Sequence, residues 1–131
     1  MAKIARTPFN GARWLTKFVT SNTTIARNST GQCLFVTADS DTVELNIDFV
    51  DQGSYFKIII KETTTQDITV TLPDVAAVIV CDAGAAAMVE GSGTTISLPT
   101  GTTEASYLDL VCDGSKWYCQ GMIHGSTAAI S

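Results

Sequence analysis

The heptapeptide Val43-Glu44-Leu45-Asn46-Ile47-Asp48-Phe49 alternates without a break: Val43, Leu45, Ile47 and Phe49 fall on one side, Glu44, Asn46 and Asp48 on the other. A repeat of two is the period of a strand, so this stretch predicts a sheet with one dry and one wet face. Asp51 to Ser54 reads as a turn, after which Phe56, Ile58 and Ile60 alternate with Lys57 and Lys61. Ile68, Val70 and Leu72 continue the pattern, and Pro73 is expected to end it because proline cannot donate to a ladder.

Outward from there, Val75 to Cys81 is continuously apolar and reads as a strand covered on both faces. Thr94 to Leu98, Tyr107 to Cys112 and Lys116 to Ile123 are further strands, with Trp14 to Thr20 and Cys33 to Thr37 as strands near the start. Only Ala85 to Met88 has helical character, and it is too short to stand alone. Thr69-Val70-Thr71-Leu72-Pro73 is echoed by Thr95-Ile96-Ser97-Leu98-Pro99, which reads as two similar strand exits. About eight to ten short strands broken by Gly, Asp and Ser predict an all-β domain, an antiparallel β-sandwich or jelly-roll-like body.

The chain has 131 residues, 45% of them apolar and 16% charged, enough to build one core without metals or disulfides. No apolar run is long enough to cross a bilayer as a helix, and no apolar h-region follows Lys3, Arg6 and Arg13. The expectation is therefore synthesis in a cytoplasm and no membrane partner. A net charge of −5 argues against nucleic acid. The charge is segregated: Lys3, Arg6, Arg13, Lys17 and Arg27 all precede Asp39, whereas three lysines and thirteen Asp/Glu follow. This divides the chain into a basic arm with first strands at 1–38, an acidic body at 39–124 and a small polar tail, expected to be peripheral, at 125–131.

Chemistry-bearing residues are sparse. Cys112 and Cys119 flank a predicted hairpin turn at Asp113-Gly114-Ser115-Lys116 and oppose each other if the loop is Ser115-Lys116; one residue earlier, they do not. With Cys33 and Cys81 in apolar strands, all four read as thiols acting as small hydrophobes. The four cysteines and the single histidine, His124, form no zinc pattern, and His124 lies beside Gly125 near the chain end, a poor place for a catalytic group. Glu44 and Asp48 sit on a wet face, Asp39, Asp41, Asp51 and Asp82 lack the spacing of a calcium loop, and Asn22-Thr23-Thr24 and Asn28-Ser29-Thr30 are glycosylation sequons in form alone. No catalytic residue, metal site or cofactor is expected.

The segment Gly91 to Gly121, GSGTTISLPTGTTEASYLDLVCDGSKWYCQG, resembles a module of bacteriophage structural proteins, among them head decoration (cement) proteins and fibre or tail proteins. Tyr55 to Ile60 followed by Ile68 to Pro73 suits the same pattern, so the resemblance covers about half of the chain. It implies a β-sandwich that acts as a homotrimer on the virion. A decoration protein fits the short chain best. It would dock on the major capsid protein at the capsid surface, bridging and stabilising capsid subunits through Arg6, Arg13, Trp14, Lys17 and Phe18. The alternative is a receptor- or carbohydrate-binding β module of a phage tail or fibre, presenting Trp117-Tyr118. One of that pair is expected to face inward.

Overall fold

The computed structural model describes residues 15–27, 31–84 and 87–131. Among them the chain is all-β: β1 (Leu15–Val19), β2 (Thr23–Ile25), β3 (Gln32–Val36), β4 (Val43–Ile47), β5 (Tyr55–Ile60), β6 (Ile68–Asp82), β7 (Ala87–Leu98), β8 (Tyr107–Cys112), β9 (Trp117–Ile123) and β10 (Ala129–Ile130). They form one bent sheet in the order β1-β3-β5-β8-β9-β6-β4-β2, with β7 added to β6 and β10 to β7, which folds into a nearly closed, barrel-like sandwich.

The all-β expectation holds, but the pairing is mixed rather than antiparallel. β1–β3, β3–β5, β2–β4, β4–β6 and β6–β9 are parallel, and β5–β8, β8–β9, β6–β7 and β7–β10 are antiparallel. The cause is the route of the chain. Links β1→β2, β3→β4 and β5→β6 each cross to the opposite layer, so the next strand re-enters its own layer in the same direction. Local alternation specifies which face of a strand is dry and says nothing of this winding.

Pro73 does not end its strand. β6 runs for 15 residues through it, with a register shift between Thr71 and Ala76 against β7. The proline falls inside this bulge, where a missing N–H is harmless, and the Asp74 carboxylate accepts the Val75 N–H at 2.7 Å. On its first part β6 pairs with β4 and on its last part with β9, so the β6–β7 ribbon turns the corner between the layers. The two echoed segments are hydrogen-bonded partners inside this ribbon, with Thr69 opposite Ser97 and Val70 opposite Ile96. Val75–Cys81 is covered on one face only: Ala76, Val78 and Val80 are buried, whereas Val75 and Ile79 are exposed. Met88, placed in the helical candidate Ala85 to Met88, lies in β7; Ala85 and Ala86 fall outside the described residues.

The decisive heptapeptide behaves as its pattern predicts, with Val43, Leu45, Ile47 and Phe49 buried and Glu44 and Asp48 exposed. Its dry side joins a single core cluster fed by both layers. At one end Trp117 is fully buried, 5.8 Å from the Phe49 ring and 5.9 Å from Phe56, and its indole N–H donates to the Phe49 carbonyl at 2.9 Å. The tail is docked rather than peripheral. β10 pairs with β7, Ala128 is buried, and the Ser131 carbonyl accepts the N–H groups of Thr94 and Thr95. Within 1–38, likewise, the described residues are integral strands of the sheet.

Trp117→Phe keeps an aromatic ring in place but strands the Phe49 carbonyl without its donor. The expected loss is about 1–3 kcal/mol, read as a lower urea midpoint at unchanged m value.

Candidate functional site

Register across the outer face of the larger layer assembles what no single strand shows. Met88 of β7 opposes Cys81 of β6, Cys81 opposes Met122 of β9, and Met122 opposes Tyr107 of β8. Tyr107 opposes Ile59 of β5, Ile59 opposes Phe35 of β3, and Phe35 opposes Phe18 of β1. These side chains form one apolar row across seven neighbouring strands, about 29 Å long at ordinary strand spacing. Met88, Met122 and Phe18 are 58%, 45% and 66% exposed, so the row is not part of the core. Phe35, Ile59, Cys81 and Tyr107 between them are half-buried, and an exposed apolar row of this kind is a candidate contact surface.

Two shallow depressions border the row on the side of the β5–β6 and β8 entry loops. One, of about 340 Å³, is lined by Phe18, Phe35, Ile59, Lys61 and Glu104; the other, of about 280 Å³, by Ala83, Glu104, Tyr107, Met122 and His124. Phe18 rests on Phe35 with ring centroids 5.7 Å apart, and the Lys61 ammonium lies 5.9 Å from the Phe18 centroid. On the opposite flank a polar row carries Lys57 and Asp109, directly opposed on β5 and β8 and 3.5 Å apart. The Lys57 ammonium also sits 4.5 Å over the Tyr107 ring. Burial raises the Tyr55 phenol above its ordinary value, and the Asp109 carboxylate adds to the effect.

Of the residues expected at an interface, Lys17 and Phe18 are exposed on β1, with Phe18 at one end of the row. Arg6, Arg13 and Trp14 lie outside the described residues, as does the sequon at Asn28. Asn22 of the other sequon uses its side-chain oxygen to accept the Glu44 N–H at 2.8 Å. The row itself was invisible in sequence because it depends on which strands become neighbours.

The cysteines do not meet as the hairpin expectation allowed. β8 and β9 pair Cys112 with Trp117 and Leu110 with Cys119, so the turn is centred on Gly114-Ser115 and the thiols are out of register. All four cysteines are free; Cys33, Cys112 and Cys119 are buried, and burial pushes the Cys119 thiol up to about 12. His124 follows β9, exposed, its backbone held by Ser106 and Thr103 and its Nδ1 3.4 Å from the Thr103 hydroxyl. Asp82 is buried and accepts the Gly84 N–H and the Thr127 hydroxyl, while Asp51 pairs with Arg27 at 2.9 Å. Among the described residues no three His, Cys, Asp or Glu are grouped to hold a metal. Trp117 turns inward and Tyr118 outward, as expected of that pair.

The Gly114 turn is held electrostatically. Asp113 accepts the N–H groups of Ser115 and Lys116, each at 2.8 Å, and the Tyr118 phenol at 3.0 Å. Those backbone bonds hold its carboxyl down at about 2. No family model, curated protein or solved structure matches the chain.

Because the folded carboxyl is more acidic than the unfolded one, its contribution is complete above the unfolded value of about 3.8 and is lost as pH falls towards 2. Asp113→Ala is therefore expected to melt below the wild type at neutral pH, with the difference shrinking between pH 4 and pH 2. A difference that stays constant across that range counts against the carboxylate's role in the turn.

Proposed function

We propose that this chain is a non-enzymatic structural protein of a bacteriophage virion, a decoration (cement) protein that docks on the capsid surface as a homotrimer and bridges and stabilises capsid subunits. The observation that carries the reading is the apolar row from Met88 to Phe18, a surface suited to burial against another chain. It lies on the layer to which β8 and β9 belong, the strands of the segment that resembles phage structural modules. The basic residues Arg6, Arg13 and Lys17 supply the complement to an acidic capsid lattice. Weak contacts repeated over many identical copies add up to a stabilised shell without any one being strong.

The test is co-sedimentation with empty capsids at low and high salt, with capsid melting as a second readout. The full chain is expected to bind, to raise the capsid melting temperature and to weaken with salt. Removal of residues 1–14, which leaves β1 intact, is expected to abolish binding. A protein that ignores capsids and binds glycans instead would overturn the reading.

A further inference from the structure

Among the described residues the larger layer is open at both ends. Its first strand is β1, whose outer edge carries no strand among the described residues. Its last is the first part of β7, where β6 occupies one edge and nothing described occupies the other; the β10 partners begin only at Ile96, and the tail carbonyl covers Thr94 and Thr95. The three most exposed large apolar side chains of the described chain sit on these two edges: Leu15 and Phe18, each 66% exposed, and Met88, 58% exposed. Natural proteins blunt free edges because unpaired N–H and C=O groups recruit another strand. Here each edge bears apolar residues, free of proline, at opposite ends of one sheet.

We propose that copies of this chain associate head to tail, the β1 edge of one pairing with residues 87–91 of β7 in the next. The inference rests on the homotrimer of the proposed function and names the edges through which its copies meet; the face of the row stays free for the capsid. Strand direction permits the join: β1, β3, β5, β9 and β6 run one way and β7 the other, so β1 meets the neighbour's β7 as an antiparallel ladder. Only one in-phase register carries the row across the boundary, and it sets Phe18 opposite Met88 of the next copy. The remaining pairs then follow. Leu15 falls opposite Gly91, Thr16 opposite Glu90, Lys17 opposite Val89 and Val19 opposite Ala87.

This register is complementary in shape. Leu15, on the core side of its strand, arrives over a glycine whose missing side chain leaves Ile130 as the nearest neighbour, 3.6 Å from where a Cβ would stand. Phe18 and Met88 extend the row from one copy to the next, as cross-strand apolar pairs do within a sheet. Lys17 faces the core side of β1 and Glu90 the outer face of β7, so in this register they do not oppose each other, and neither meets a like charge across the join. An interface built from two different edges is heterologous and closes into a ring of three or more copies when the rotation allows.

Two variants at exposed positions test this: Phe18→Asp disables the first edge and Met88→Asp the second, with circular dichroism and melting to verify that each remains folded. By light scattering after size exclusion, the wild type is expected as a ring of at least three 13.9 kDa chains and each variant alone as a monomer. Mixed, the variants are expected to form a 1:1 dimer that stops there, because each retains the one edge the other lacks. A monomeric wild type, an oligomer that survives either substitution, or a mixture that stays monomeric would each overturn the pairing. Capsid co-sedimentation of the wild type separates the two ideas: monomers that still bind capsids defeat the edge pairing and the homotrimer but leave the docking role, and rings that ignore capsids defeat only the decoration role.

Discussion

The structure depends on the β6–β7 ribbon and its bulge. β6 joins the two layers, pairing with β4 before the bulge and with β9 after it, while β7 follows it on the far side in both. A strand can bend sharply only where ladder bonds are interrupted, and Pro73 and Asp74 supply that interruption at low cost: one lacks the donor, and the other satisfies its neighbour's. Every later element is positioned by this corner. β9 docks along the second half of β6, β8 and β5 follow from β9, and β10 closes against β7.

Winding across two layers also explains how a core can be built from such short pieces. β2 has three residues, yet it is held between its crossover link and β4 and contributes the buried Ile25. The loops between strands are tied by hydroxyl groups rather than by apolar area. Thr64 and Thr102, both buried, share the Pro99 carbonyl as acceptor, and the Thr102 hydroxyl meets that of Ser126 at 2.6 Å. Buried hydroxyls with partners stabilise, and those without would destabilise by more. No buried side-chain polar atom among the described residues lacks a partner. Threonine abundance, which in the sequence signals strand preference, here also serves to seal loop ends.

Within this frame the outer face of the larger layer differs from an ordinary wet face. A solvated sheet alternates apolar and polar along each strand, and so do these strands, but one register position repeats an apolar choice in all seven neighbours. Solubility of a lone sheet gives no reason for that alignment. Burial against another chain does, and the flanking Lys57–Asp109 pair marks where the row returns to a polar surface.

Much of the fold was legible in the residues themselves. Alternation in Val43–Phe49 and Tyr55–Ile60 determined the dry faces, because a side chain's face follows from its own position in a strand. The Asp113-Gly114 turn, and one inward residue in the Trp117-Tyr118 pair, were legible for the same local reason. Parallel pairing, continuation of β6 through Pro73 and the docking of the tail were not, since each depends on which distant strand supplies the partner for a backbone group. The apolar row belongs with these. Its seven residues are spread from Phe18 to Met122, and only the tertiary pairing of β1, β3, β5, β8, β9, β6 and β7 brings them into line. Sequence thus decided which faces are buried, and tertiary structure decided which exposed residues stand together.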